Sequence, residues 1–560
     1  MDYKYYIAEK IKIEGFTAEQ LKGMLSVPPN REMGDYALPC FPFAKVFRKS
    51  PNTIAEELAA EISADAVIES VSALSGYLNF KISRAAFAKD VLSRIEAEGE
   101  KYGSSTEGAG KTVCIDYSSI NIAKPFHIGH LMTTVLGGAL YRIFNFLGYR
   151  AVGINHLGDW GTQFGKLISA YKRWGDREKI EHGRVRELMQ IYVKFHEEAE
   201  KDPALEEEAR AYFKKIEEGD PECMELFNWF RDLTLIYVEK IYGLLNIRFD
   251  SYAGESFYND KMQPVIDALA EKGLLTESDG AKVVDLSAYD MPPCLILKAD
   301  GATLYATRDL AAAFYRKQTY DFHKCLYVVA YQQNLHFQQI FKVLELMGAD
   351  FAKDMEHVAY GMVSLSTGAM STRKGNVVFL EDVISACIQK SREIIEEKNP
   401  DLPDKDTVSR QVGTAAVIFG ALSNAKIKDT VFDINKVTNF DGETGPYVQY
   451  TAARANSVLE KAGNFTPVYD VPLTDDEYEV VSLLSSYPET VRLAAEKREP
   501  CFVTRLAADL AQAYNKFYFS CKILDAEPDV RAFRLSLTRA TRTVLSSALG
   551  LLGIEIPEKM

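Results

Sequence analysis

Between positions 112 and 156 the hydrophobic period changes from strand to helix and back, and this constrains the fold more than any other feature of the chain. "TVCIDY" (112–117) is rich in β-branched and apolar residues, and "HIGHLMTTVLGGALYRIFNFLG" (127–148) places apolar residues at 131, 135, 139, 143 and 147, near helical spacing. Gly148 stops that helix, and "AVGINH" reads as the next strand. Strand, helix and strand in this order predict a parallel β-α-β unit, with the loop 118–126 at the carboxyl end of its first strand. "PCLILKADGATLYATRDLAAAFYRK" predicts a strand, an Asp-Gly turn at Asp300 and Gly301, a short strand and a helix. "KCLYVVAYQQNLHFQQIFKVLELMG" predicts a strand and a helix ending at Gly348. Ligands of open parallel sheets bind beyond the carboxyl ends of the strands. The polar clusters 116–130, 155–163, 305–309 and 332–336 are therefore expected to converge on one cleft.

A chain of 560 residues is too long for one core, and its length suggests about three domains. The first boundary falls at "EAEGEKYGSSTEGAGKT" (96–112), where charged residues, Gly and Ser replace the apolar period. Before it, helix-like "TIAEELAAEI" and strand-like "GYLNFKI" predict a small α/β domain over 1–105. The second domain, 106–434, holds the parallel sheet and a helical insertion at about 166–290, whose stretch 175–250 is acidic. From 435 to 560 only amphipathic helices are predicted, as in "VTRLAADLAQAYNKFYFSCKIL", which suggests an all-helical domain.

Composition narrows the class. Apolar residues make up 47% and charged residues 26%, as in ordinary soluble proteins. There is no run of about 18 apolar residues that could span a membrane. The start "MDYKYYIAEKIKIEG" lacks an apolar signal region, so a cytoplasmic location is expected. The 8 cysteines include no C-x-x-C pair, which argues against a zinc site or a disulfide framework. The net charge of −14 does not decide about nucleic acid, because an acidic protein can carry a local basic face.

His127 and His130 lie at i and i+3, on one face of the first helical turn. A capping or surface role is one reading. A zinc site is a poor one, because Ile128 and Gly129 stand where H-E-x-x-H needs its glutamate. A phosphate site is the third: a helix start directs N–H groups at an anion, and Gly129 leaves room for a base or ribose. Further on, "GAMSTRKGNVVFL" (368–380) carries Ser371, Thr372, Arg373, Lys374 and Gly375. It reads either as a solvated basic turn or as a cationic loop that closes on a triphosphate.

Together these stretches resemble class I aminoacyl-tRNA synthetases, and among them the arginyl-tRNA synthetase family. "HIGH" stands at 127–130, and residues 370–373 look like a degenerate form of the second signature, the KMSKS loop. More selective are "SSINIAKPFHIGHL", "NHLGDWGTQFG", "LYATRD", "QQNLHF" and "GPYVQYTAAR", in that order, with "GDYALPCF" near the N-terminus. The resemblance runs the length of the chain. It implies a multidomain protein: a Rossmann-like α/β parallel-sheet catalytic domain, a small α/β domain before it that contacts the tRNA elbow, and an all-helical anticodon-binding domain after it.

The resemblance further implies that His127, Gly129 and His130 hold ATP and its α-phosphate, joined by His336 and by Met370, Ser371, Arg373 and Lys374 of the signature loop, 368–376. Thr372 replaces that loop's usual second lysine, and Lys124, just before HIGH, matches the lysine thought to supply the charge in arginyl enzymes. Lys124, His127, His130 and Lys374 are the expected catalytic groups.

A guanidinium is planar and always charged, so its pocket calls for carboxylates in a nearly dry site. Tyr305 and Asp309, four apart at a helix start, share a face and are the first candidates. The family pattern adds Asn121 and Gln333 for the α-amino end and an acidic residue at 116, here Asp116 rather than the frequent Glu; a loop-capping role for Asp116 is the alternative. Ile120 and Met132 depart from the family's frequent proline and arginine. Asn155, His156 and Gln163 are expected to line the cleft, while Asp159 and Trp160 are expected to be structural. Tyr447, Gln449, Tyr450 and Arg454 are expected on an RNA face, with packing of a domain interface as the alternative.

The implied reaction joins L-arginine to tRNA(Arg) through an adenylate, using ATP with Mg²⁺ bound to it, in a protein expected to be a monomer away from membranes. Another HIGH-bearing adenylyl-transferring enzyme would lack the pair Tyr305 and Asp309, and a catalytically silent tRNA-binding paralogue would show damage at Lys124, His127, His130 or Asp309.

Overall fold

The computed structural model describes the chain except residues 29, 31–32, 123, 300–302, 304 and 366–377. It divides into two compact units. The first comprises 1–102, 455–486 and 512–544, and the second comprises 103–454, 487–511 and 545–560.

In the first unit, strands β1 (Tyr36–Pro39), β2 (Ile68–Leu74) and β3 (Tyr77–Ile82) form an antiparallel sheet in the order β1-β3-β2. Ser75 and Gly76, both at positive φ, make the two-residue turn that joins β2 to β3. The helix Pro51–Glu61 starts at Ser50, whose Oγ accepts from Thr53 N at 3.1 Å, with Pro51 at its first position. Its Ile54 and Leu58 pack with Leu38, Phe43, Leu78 and Phe80 in one core. The helical segments of this unit join through polar contacts: Arg84 pairs with Asp475 at 2.7 Å and stacks 4.6 Å over Tyr478, and buried Glu477 accepts from Arg534 at 2.7 Å.

The strands of the second unit are β4 (Thr112–Asp116), β5 (Arg150–Ile154), β6 (Leu275–Ser278), β7 (Ala281–Val284), β8 (Cys294–Leu297), β9 (Lys324–Tyr327), β10 (Met355–His357), β11 (Val363–Leu365) and β12 (Thr430–Phe432). Four of them form the parallel sheet β10-β9-β4-β5. Its central strand β4 is buried on both faces, with Val113, Cys114 and Ile115 fully enclosed, as a parallel strand between helices requires. The helix Leu131–Phe146 crosses from β4 to β5, and the register sets Asp116 opposite both Ile154 and Tyr327. The three strand ends are therefore level, and the loops that follow them start from one edge.

β8 forms where a strand is expected, in a sheet the sequence does not specify. It pairs with β7 in the antiparallel sheet β6-β7-β8 and does not join the parallel sheet. A short apolar run satisfies either kind of sheet, so its period cannot say which partner it takes. The insertion expected at about 166–290 is helical over Thr162–Trp174, Arg177–Gly183, Val185–Ala199, Ala204–Glu217, Pro221–Leu244 and Met262–Glu271, but its last part is not, because β6 and β7 pair there as an antiparallel hairpin. Beyond β12 the chain forms four long helices, Gly445–Ala462, Asp475–Lys497, Cys501–Ser520 and Pro528–Leu552, which contribute to both units. Among the described residues no helix is long and apolar enough to cross a membrane.

Candidate active site

The loop after β4 is held in a conformation that side chains rarely adopt. Ser118 and Ser119, at φ 68° and 43°, are both left-handed. A buried network fixes them: Ser118 N donates to Thr133 Oγ1 at 3.0 Å, and Ser118 Oγ bonds Thr134 Oγ1 at 2.9 Å and Tyr242 Oη at 2.8 Å. Tyr242 also accepts from Asn155 Nδ2 at 3.0 Å, while Thr133 donates to Val328 O at 2.7 Å. The ends of β4, β5 and β9 are thus tied together by hydrogen bonds. Asn121 follows, exposed, so close to the loop after β5 that a Cβ at Gly158 would lie 2.4 Å from its Oδ1.

His127 and His130 cap each other. Gly129 N donates to His127 Nδ1 at 3.1 Å, and His127 N donates to His130 Nδ1 at 3.3 Å, with ring centroids 4.0 Å apart. A backbone amide only donates, so both Nδ1 atoms are acceptors and each neutral ring carries its proton on Nε2. Burial pushes His127 down to about 4, and burial followed by the neighbouring His127 pushes His130 down to about 3, with Lys124 adding to the effect. The pair is therefore neutral at pH 7 and offers two Nε2–H donors. A Cβ at Gly129 would lie 2.8 Å from His127 Cε1, so the fold-back of that ring needs glycine here. The expected helix start is a 3-10 turn, Ile128–His130, that runs into the helix.

Met370, Ser371, Arg373 and Lys374 lie outside the described residues. The residues just after their loop are bonded to the histidine stretch: Ile128 N donates to Val378 O at 3.3 Å, and Leu380 N donates to Phe126 O at 2.9 Å. β11, just before the loop, packs against the turn Ile128–His130.

Across the cleft, the helix Tyr305–Tyr320 presents Tyr305, 65% exposed, at its first position. Asp309, one turn on, accepts from His336 Nε2 at 2.6 Å. Burial raises the Asp309 carboxyl, but the bond and charge of His336 outweigh it and hold the group below its ordinary range. The structure thus brings together two residues expected in different subsites, Asp309 with the guanidinium and His336 with ATP. Gln333 is exposed at the end of the turn Tyr331–Gln333.

Three further charged groups belong to the cleft and were missed. Glu255 lies 3.7 Å from Arg308, both buried, and burial raises Glu255 to about 7 against the pull of Arg308, with Asp309 adding to the rise and Lys124 opposing it. The third, Arg316, donates from Nη2 to Asp116 Oδ2 at 2.7 Å. Ser119 Oγ donates to the other oxygen, Asp116 Oδ1, at 2.6 Å, so the chain's own groups engage both carboxylate oxygens. Arg308 and Arg316 stood on the "LYATRD" helix, where the helical period could have exposed them; Glu255 carried no local signal.

Of the other cleft candidates, Asn155 and His156 are placed at the mouth of β5, with Asn155 Oδ1 and His156 Nδ1 buried and unpartnered among the described residues. Asp159 accepts from Ser256 N at 2.8 Å and from Ser256 Oγ at 2.7 Å, a loop-closing use. In the helix Gly445–Ala462, Arg454 stacks 4.9 Å over the exposed Tyr450 ring, and Tyr447 lies within the same face, one turn before Tyr450. Gln449 differs from these: it is fully buried, and its Nε2 donates to Glu555 O at 2.6 Å and Gln411 O at 3.3 Å.

A parallel sheet whose first crossover begins with a mutually capped HIGH pair, facing a charged pocket at level strand ends, is the architecture of a class I aminoacyl-tRNA synthetase. The comparisons narrow this. The family model described as "tRNA synthetases class I (R), catalytic domain" matches residues 91–434, the "Arginyl tRNA synthetase N terminal domain" matches 1–82, and the "DALR anticodon binding domain" matches 448–560. The arginine–tRNA ligase of Clostridioides difficile (strain 630) is 54% identical over 564 residues, covering 100% of both chains, and that of Alkaliphilus metalliredigens is 51% identical with the same coverage. The solved arginyl-tRNA synthetase of Thermus thermophilus superposes with a TM-score of 0.81 at 27% identity, covering 100% of this chain and 99% of that one. The chain belongs to the arginyl-tRNA synthetase family of class I.

Proposed function

We propose that the chain is an arginine–tRNA ligase, which activates arginine with ATP and transfers it to the 3′-terminal adenosine of tRNA(Arg). Its place in the family is supported by the neutral, reciprocally capped pair His127 and His130, the single observation that carries the chemical reading. A carboxylate oxygen of arginine attacks the α-phosphate, one O–P bond forms, and the bond to pyrophosphate breaks. The two Nε2–H groups donate to oxygens of the reacting phosphate, where charge gathers in the transition state. Lys124, whose charge acts on His130, supplies a cation beside that pair, and Lys374 with Met370, Ser371 and Arg373 is assigned to pyrophosphate in the signature loop. The protein's main work is positioning and charge stabilisation, with no covalent protein intermediate. In the second step a ribose hydroxyl of the terminal adenosine attacks the arginyl carbonyl and AMP leaves.

Asp309, with Tyr305 beside it, takes the guanidinium; Asn121 and Gln333 take the α-amino end. His336, through its bond to Asp309, sets that carboxylate's direction. Tyr447, Tyr450 and Arg454 present a stacking surface for unpaired bases, while Gln449 serves from the interior. Mg²⁺ would arrive with ATP and would offset the charge of its phosphates. We further assign residues 1–105 to tRNA-elbow contact, 106–434 to catalysis and 435–560 to the anticodon, in a cytoplasmic monomer. The test is pyrophosphate exchange with each amino acid, with and without tRNA. Exchange with arginine alone, and only when tRNA is present, is expected. Absent exchange with tRNA binding intact would mean a silent tRNA-binding paralogue.

A further inference from the structure

Arg316 heads the fully buried side chains by size, with 1% of its surface exposed. Its guanidinium lies 5.2 Å over the Tyr327 ring and donates to Asp116 at 2.7 Å. Among the described residues its Nε and Nη1 make no hydrogen bond of ordinary geometry, although Tyr258 and Cys325 face the guanidinium, and Tyr327 Oη and His156 Nδ1 are likewise without one. A buried ion pair with a half-used fork is a poor source of stability, since desolvation offsets most of its attraction. Its location suggests a different use.

Asp116 ends β4, and its second oxygen holds Ser119, at the head of the loop that carries Asn121 and Lys124. Arg316 stands seven residues after Asp309 on the helix Tyr305–Tyr320, two turns along the same face. The Ser119–Asp116–Arg316 chain therefore fastens one wall of the amino-acid pocket, the loop, to the other, the helix bearing Tyr305 and Asp309. It also withholds Asp116 from a substrate. An incoming guanidinium could use that carboxylate only by leaving Arg316 buried and unpaired.

We infer that Arg316 is a positioning residue for amino-acid binding: it acts through Asp116 to set the spacing of the pocket walls, and it leaves recognition of the guanidinium to Asp309. The inference rests on the arginine pocket proposed above. It is tested on the full-length chain by tRNA-dependent pyrophosphate exchange, reading KM for arginine and KM for ATP separately, with thermal melts as the check on folding. Arg316→Met is expected to raise KM for arginine by about tenfold or more, with KM for ATP within about twofold. Arg316→Lys keeps the cation and is expected to recover part of the loss.

The double variant Asp116→Asn with Arg316→Met buries no unpaired charge, so it keeps the test open if Arg316→Met fails to fold. It too is expected to show the raised KM for arginine. Folded variants with an unchanged KM for arginine, or with both KM values rising together, would overturn the inference in favour of a structural role. A wild type that exchanges with a different amino acid would overturn the function proposed above instead, and the same variants would then be read with that amino acid.

Discussion

At the scale of single residues, the chemistry depends on protons being held in place. His127 and His130 accept from backbone amides through Nδ1, which leaves the proton of each neutral ring on Nε2. Their folded values, about 4 and 3, lie below the ordinary 6.5, so the folded state binds fewer protons than the unfolded state at mildly acid pH. The sign follows: their contribution to stability is complete above about pH 6.5 and is lost as pH falls through 4 and 3. Nitrogen-15 imidazole spectra at pH 6 are expected to show both rings as neutral Nε2–H tautomers. His130→Ala removes one of the two donors proposed for the reacting phosphate and is expected to lower kcat by about 100-fold, with a smaller change in KM for arginine, read by pyrophosphate exchange. Glu255 titrates in the opposite sense. Raised to about 7 by burial, it gains its negative charge as pH rises through that value. KM for arginine is therefore expected to fall between pH 6 and 8, and Glu255→Gln is expected to flatten that dependence.

At the scale of elements, the site is a matter of which ends meet. The hydrophobic period defined β4, the crossover helix and β5, because each buries a face with its own repeat. The same reasoning located β8 but not its partner, because its four residues fit an antiparallel edge as well as a parallel core. It also placed Asp309 and His336 on separate helices with separate tasks; the fold of β9 into the helix Asn334–Leu346 sets them 2.6 Å apart. Asp309→Asn keeps the shape of that contact and removes the charge. It is expected to raise KM for arginine by about 100-fold, as loss of a charge-assisted bond in a nearly dry site requires, with KM for ATP little changed in the same exchange assay. His336→Gln, which keeps a donor to Asp309, is expected to cost less.

At the scale of the whole molecule, the residues proposed to meet RNA and a residue that holds the fold share one helix. In "GPYVQYTAAR", Tyr450 is exposed with the half-buried Arg454 over its ring, whereas Gln449 turns inward to the carbonyls of Gln411 and Glu555. Gln449→Ala is expected to lower stability by about 1–3 kcal/mol in chemical denaturation, because it strands buried polar groups. Arg454→Ala is expected to weaken tRNA binding and leave the denaturation midpoint in place.

The sequence alone determined β4, β5, the crossover helix between them, the helical tail and the location of the HIGH pair, since periodicity, glycine stops and short motifs are local and survive without a fold. Only the tertiary structure decided that Asp116 is engaged by Arg316, 200 residues away, that Glu255 faces Arg308, and that His336 holds Asp309. Those pairings depend on how separate elements pack, and a buried charge shows its partner only when the walls around it have closed.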